Sequence, residues 1–248
     1  MGWDIVRHSF AMLFRNLPNA LRISLGPLAI ALLGAALVIS SLGVSAAQIA
    51  FDMARGTLSP QVALAVILLT ALFVVVSAWI AVSWHRFILL EEYPGLLPAL
   101  AGRPIGAYLG RTVILALVMI VAMVPALVIL GLLTALFGPG LLSILGIGLA
   151  LYFSFVWLRV GLVLPATAVG KPLGVGESWR VTAPHANAIL GAGALMIVLN
   201  SGIGLVSALL PLSLSLVLDV IVSWITLMIG TSLLTTLYGV IVEERRLG

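Results

Sequence analysis

The chain has no cysteine, a single lysine and few charges of either sign: twelve basic and eight acidic residues, 8% of 248. Without cysteine, disulfides and thiolate metal sites are excluded. The shortage of charge excludes a soluble domain. Such a domain carries roughly 25% charged residues, and a chain that is 62% hydrophobic has too little to set against water. Lipid is therefore the expected solvent. Eleven of the twelve basic residues are arginine, and alanine, glycine, leucine and valine abound, a composition suggesting a bacterial source. The basic balance is not read as nucleic-acid binding, because it has another use here, the setting of orientation.

About 20 helical residues cross about 30 Å of hydrocarbon. The apolar runs place six spans at about 23–50, 61–84, 112–137, 141–164, 188–210 and 217–242, within one membrane domain over 1–248. The expected fold is all-α: three helical hairpins with interfacial amphipathic helices. Residues 3–17 supply one such helix, with Trp3, Val6, Phe10, Leu13, Phe14 and Leu17 at helical spacing and Asp4, Arg7, His8 and Arg15 between them. Residues 51–60 are expected as a short outer loop and 87–111 as one or two surface turns. His85 and Arg86 should stop the second span. Pro125 should bend the third.

Orientation follows from the basic residues. With both termini cytoplasmic, positions 7, 15, 22, 86, 103, 111, 159, 171, 180, 245 and 246 lie inside and only Arg55 outside. The positive-inside rule favours that arrangement over its reverse. Residues 157–187, which hold Lys171 and three prolines, are the cytoplasmic return between spans four and five. The stretches Arg15–Arg22, Arg103–Arg111 and Arg180–Asn187 each precede an outward span and suggest a threefold unit of interfacial helix plus hairpin.

Catalytic motifs fail on inspection. Around Lys171 a proline stands at the first glycine position of a phosphate loop and another follows the lysine. Gly176-Glu-Ser178-Trp-Arg180 lacks the last glycine of a nucleophile elbow. The three histidines are scattered, without metal-ligand spacing, and are expected near headgroups. No catalytic, cofactor or metal residue is assigned. The polar groups within or beside the spans are the better candidates. Arg7, Arg15, Arg22, Arg103, Arg111, Arg159, Lys171 and Arg180 are candidates for lipid headgroups. Arg159 is the deepest of them and could snorkel to phosphate or pair with Glu177. Asn200 and Asp219 lie about 16 and 12 Å from the Pro211 turn, so a hydrogen bond between them could tie the last hairpin. Gly106, Gly110, Gly191, Gly193, Gly202 and Gly204 are read as helix-packing positions.

Phe14-Arg15-Asn16, Arg159 through Leu164-Pro165, and Glu177-Ser-Trp-Arg-Val-Thr182 resemble the YciC-like bacterial inner-membrane proteins. The same patches are similar to the membrane region attached to some glycerophosphoryl diester phosphodiesterases. The resemblance implies a six-span helical inner-membrane domain. It implies no enzyme activity, since catalysis in those phosphodiesterases belongs to a separate soluble barrel that has no counterpart here. The expected function is a non-enzymatic accessory or scaffold module that engages the phospholipid bilayer and other membrane subunits. No cofactor and no nucleic acid are expected, and homo-oligomerisation stays open. Two alternatives remain: a small transporter or lipid-handling protein with a cavity between hairpins, and an intramembrane lipid-modifying enzyme using two or more of His85, His185, Glu91, Glu92 and Glu177.

Overall fold

The structure is a computed structural model that describes residues 1–95, 97–138, 140, 142–209 and 211–246, with the side chains of 142–144, 208, 212, 213 and 215–217 outside the description. The expected start of span four at Leu141, the end of span five at Leu210 and Pro139 of the outer turn fall outside the described residues.

Among the described residues the chain is helical: α1 Gly2–Arg15, α2 Leu17–Leu42, α3 Ala46–Arg55, α4 Pro60–Leu90, α5 Ile105–Phe137, α6 Leu142–Val160, α7 Val163–Ala168, α8 Val175–Val181, α9 Ala186–Ala208 and α10 Leu212–Ile241, with a 3-10 turn at Ala183–His185 before α9. Six segments are long and apolar enough to cross a membrane: α2, α4, α5, α6 with α7, the 3-10 turn with α9, and α10.

Four expectations about elements need correction. The first span ends at Leu42, not near Ala50. Gly43 takes the left-handed conformation at φ 63°, and its neighbour Val44 donates its N–H back to the Ile39 carbonyl at 3.2 Å, which closes the helix. The expected outer loop, 51–60, is helical over its first half, where α3 runs to Arg55. Ser45 caps α3, its Oγ accepting the Gln48 N–H at 3.0 Å. Asp52 pins the following chain by accepting from the Ser59 N–H at 3.1 Å and hydroxyl at 3.0 Å. The second span does not stop at His85 and Arg86; α4 runs on to Leu90 and ends at Glu91, which sits at φ 56°. Finally, α5 starts at Ile105, so Arg111 lies inside a helix, and the described residues of 91–104 contain no helix. The second copy of the threefold unit therefore lacks its interfacial helix.

The helix α1 is part of the protein core. It packs on α9 and α10 and buries Ile5, Val6, Ser9 and Leu13, whereas Trp3 and Phe14 of the expected apolar face are exposed. Elsewhere α2 packs along α4, α6 against α9, and α5 against α6 and α7. The core is concentrated at one end of the bundle. It takes Val76–Leu89 of α4, Leu158–Val169 of α6 and α7, and Met228–Tyr238 of α10. Side-chain contacts close this end: Ser9 with Thr236, Arg86 with the Ala168 carbonyl, Lys171 with Glu243, and Arg245 with the Leu89 carbonyl. Toward the other end, apolar side chains such as Leu32, Leu33, Val121, Leu136 and Leu205 are exposed, the surface a hydrocarbon solvent requires. Of the expected packing glycines, Gly193 meets Ser154 of α6 closely, while Gly106, Gly110, Gly202 and Gly204 have open space where a Cβ would stand.

Candidate functional site

The closed end of the bundle holds three polar clusters. The first is centred on His85, which is wholly buried. Its Nδ1 lies 2.8 Å from Thr235 Oγ1, and the Thr235 hydroxyl donates to the Thr231 carbonyl at 2.7 Å. Thr235 has one proton and has spent it, so it accepts from His85 Nδ1–H. That assignment leaves Nε2 as the acceptor for the Tyr108 hydroxyl at 3.4 Å. Three helices are thus joined through one imidazole: α5 gives Tyr108, α4 gives His85 and α10 gives Thr235. Tyr108 also lines a cleft of about 300 Å³ between α4, α5, α6, α7 and α10, where Phe73, Ser77, Thr112, Trp157, Thr226 and Thr231 contribute the other polar or aromatic side chains.

The second cluster surrounds Arg159 in the last turn of α6. The residue is 7% exposed. Its Nε donates to Thr182 Oγ1 at 3.1 Å and its Nη2 to the Trp179 carbonyl at 2.5 Å. The guanidinium lies 3.6 Å from the Trp179 ring centroid and 5.4 Å from that of Phe155. Ser178 Oγ donates to the Arg159 carbonyl at 2.6 Å. Arg159 is therefore held by α8, and it neither snorkels nor pairs with Glu177. The Glu177 carboxylate instead accepts the Gly174 N–H at 3.4 Å at the start of α8.

The third cluster lies where α4 meets the segment 91–104. Arg86 forks onto Glu92, Nε to Oε2 at 3.0 Å and Nη2 to Oε1 at 2.5 Å, and its Nη1 donates to the Ala168 carbonyl at 2.8 Å. Arg103 Nη1 also pairs with Glu92 Oε2. The Arg86 guanidinium holds the Glu92 carboxyl below its ordinary value, with Arg103 adding to the effect. These side chains line a pocket of about 290 Å³ together with Ser83, Tyr93, Gly95 and Pro98. Trp79 Nε1 donates to the Pro98 carbonyl at 3.3 Å, and Leu97 packs on Gly26 of α2, where a Cβ would collide with it.

The remaining predicted residues are dispersed. Arg7, Arg15, Arg22, Lys171 and Arg180 are exposed, and Arg111 is half-buried near the start of α5. Asn200 and Asp219 do not meet. Asp219 accepts from Ser207 at 2.7 Å and Asn200 from Thr226 at 3.5 Å. Both pairs join α9 to α10, and they are seven residues apart on each helix, two rungs in place of the single expected one. Among the described residues, no hydrogen bond or ion pair joins any two of His85, His185, Glu91, Glu92 and Glu177. No group of three or more metal-ligating side chains forms among the described residues either.

The sequence reading missed the roles of His85, Tyr108, Arg86 and Glu92. Arg86 and Glu92, six residues apart across a helix end, were a readable signal, whereas the partners of His85 are 23 and 150 residues away. Comparison with protein-family models, curated proteins and solved structures finds no match.

Proposed function

We propose that the chain is a non-enzymatic multi-pass protein of a bacterial inner membrane, built as three helical hairpins with both termini in the cytoplasm, that serves a membrane complex as a lipid-engaging accessory or scaffold module. One pattern carries this reading: with all six apolar segments crossing the membrane, eleven of the twelve basic residues would lie on one side. An excess of arginine marks the cytoplasmic side of a short-looped membrane protein, and that leaflet is anionic, so each basic residue near it contributes about 1 kcal/mol of attraction. Arg7, Arg15, Arg22, Lys171 and Arg180 have the exposure this role needs. The resemblance to YciC-like proteins supports the same assignment. Lipid analysis of the natively purified protein tests it. Retained phospholipid should be richer in anionic species than the surrounding membrane, and other membrane subunits should accompany the chain. A chain recovered alone, with lipid of bulk composition, contradicts the proposal.

The cleft beside Tyr108 favours a second reading, a lipid-handling protein or small transporter. It opens between spans, it carries hydroxyls, and Thr226 links it to Asn200. Filling it by Ser77→Phe should abolish an activity of that kind while leaving retained lipid composition unchanged.

A further inference from the structure

The segment 91–104 does more than join two spans. From Leu90, where α4 ends, it turns back along that helix until the Pro98 carbonyl meets the Trp79 indole. Trp79 is eleven residues before Leu90, so the chain retraces about 16 Å of helix. On its other side the same bend rests on α2 through Leu97 and Gly26, and Gly26 is nine residues, about 14 Å, into that helix. Leu100 is exposed on the bend, and Tyr93 and Leu97, exposed as well, form part of the pocket wall. The inner surface of the bend faces Ser83, Arg86 and Arg103 across the pocket. Irregular backbone beside membrane helices is tolerated where it lines a polar cavity, and this bend supplies Tyr93, Gly95, Leu97 and Pro98 to a pocket that also holds Ser83, Arg86, Glu92 and Arg103.

Charge is unbalanced inside it. Arg86 and Arg103 contribute two positive charges and Glu92 one negative, so one positive charge is left over. The donors are unequally used. Arg86 spends Nε, Nη1 and Nη2 on Glu92 and the Ala168 carbonyl. Arg103 is engaged through Nη1, which leaves Nε and Nη2 to turn toward a ligand. Arginine presents such donors as a flat fork suited to phosphate. The indole that anchors the bend has the amphipathic character of side chains at headgroup depth.

We infer that this pocket binds one phosphate group carried by an anionic amphiphile or by a soluble phosphate compound, with Arg103 as its ligand and the Arg86–Glu92 pair holding the site open. The inference rests on the lipid-engaging reading of the chain and narrows it to a place. Glu92 is a positioning residue: it fixes both guanidinium groups and leaves the site the single net charge that a phosphodiester monoanion neutralises.

Native mass spectrometry of the full chain in detergent tests the site, with phosphatidylglycerol, phosphatidylcholine or glycerol phosphate added in separate arms. Wild type should hold one phosphatidylglycerol preferentially, and Arg103→Gln should weaken that adduct about tenfold or more. Gly95→Leu, which fills the pocket without altering charge, should do the same; Gly95 has room for a Cβ. Arg55→Gln, an exposed arginine outside the basic face, should leave the adduct intact. Displacement by glycerol phosphate assigns the site to a soluble phosphate compound, and persistence of the lipid adduct assigns it to the headgroup. Undiminished binding by both Arg103→Gln and Gly95→Leu overturns the site while sparing the general reading. Absence of any anionic preference in wild type overturns the general reading itself.

Discussion

Arg159 shows how this chain treats a charge within its spans. A guanidinium over the Trp179 ring, with Phe155 beside it and Thr182 and the Trp179 carbonyl as acceptors, is satisfied by flat geometry as much as by charge. Arg159→Ala removes the contact with the Trp179 ring and both guanidinium hydrogen bonds, a cost of about 2–3 kcal/mol. Arg159→Lys keeps the charge but not the plane or the fork, so it should recover less than half of that loss in detergent-unfolding titrations. Glu92 gives a pH signature. Its folded pKa is depressed by Arg86, so its stabilising contribution is complete above the ordinary carboxyl value of 4.5 and is lost as the pH falls through the lower folded value. Wild type should therefore lose thermal stability below about pH 4.5 more steeply than Glu92→Gln does; parallel melting curves would remove Glu92 from the account.

At the scale of elements, the long helices were legible and their junctions were not. Runs of apolar residues reveal a span because every face of it meets lipid or protein that is equally apolar. Where the helix changes partner, that signal fails. The sequence Ser45-Ala-Ala-Gln48 carries the start of a capping box, and Gly43 the stop before it, yet the apolar run continues across both, so the first half of α3 reads as the end of span one and its second half as loop. Ser45→Ala should cost about 1 kcal/mol, seen as faster amide exchange over 46–55 with α2 unchanged. The helix α1 was legible, and its expected apolar face holds at Val6 and Leu13 but not at Trp3 and Phe14, which are exposed. Tertiary contact with α9 and α10 adds Ile5 and Ser9 to Val6 and Leu13. Leu13 is fully buried, so Leu13→Ala should destabilise the fold by about 2–4 kcal/mol. A helix merely lying on lipid would tolerate the change. The cluster at His85 was out of reach for the same reason. No local pattern announces that Thr235 and Tyr108 will close on an imidazole at the end of α4.

For the whole molecule, asymmetry is the main feature. The end that carries the arginines is packed, cross-linked by side chains and rich in buried hydroxyls, and the opposite end presents apolar helix faces outward. An assembly partner within the membrane would find its apolar surface on α5, where Val121, Val124, Leu132 and Leu136 are exposed, and anionic lipid would find its charges at the packed end. Both depend on which side of the membrane the packed end occupies. The absence of cysteine makes that directly measurable, because a single introduced thiol has no background. Thr57→Cys, Gly140→Cys and Pro211→Cys should react with a membrane-impermeant maleimide in intact cells. Ala101→Cys, Lys171→Cys and Arg246→Cys should react only after the membrane is opened. Labelling of the second set in intact cells, or a mixture of both sets on one side, would contradict the six-span arrangement with its arginines in the cytoplasm.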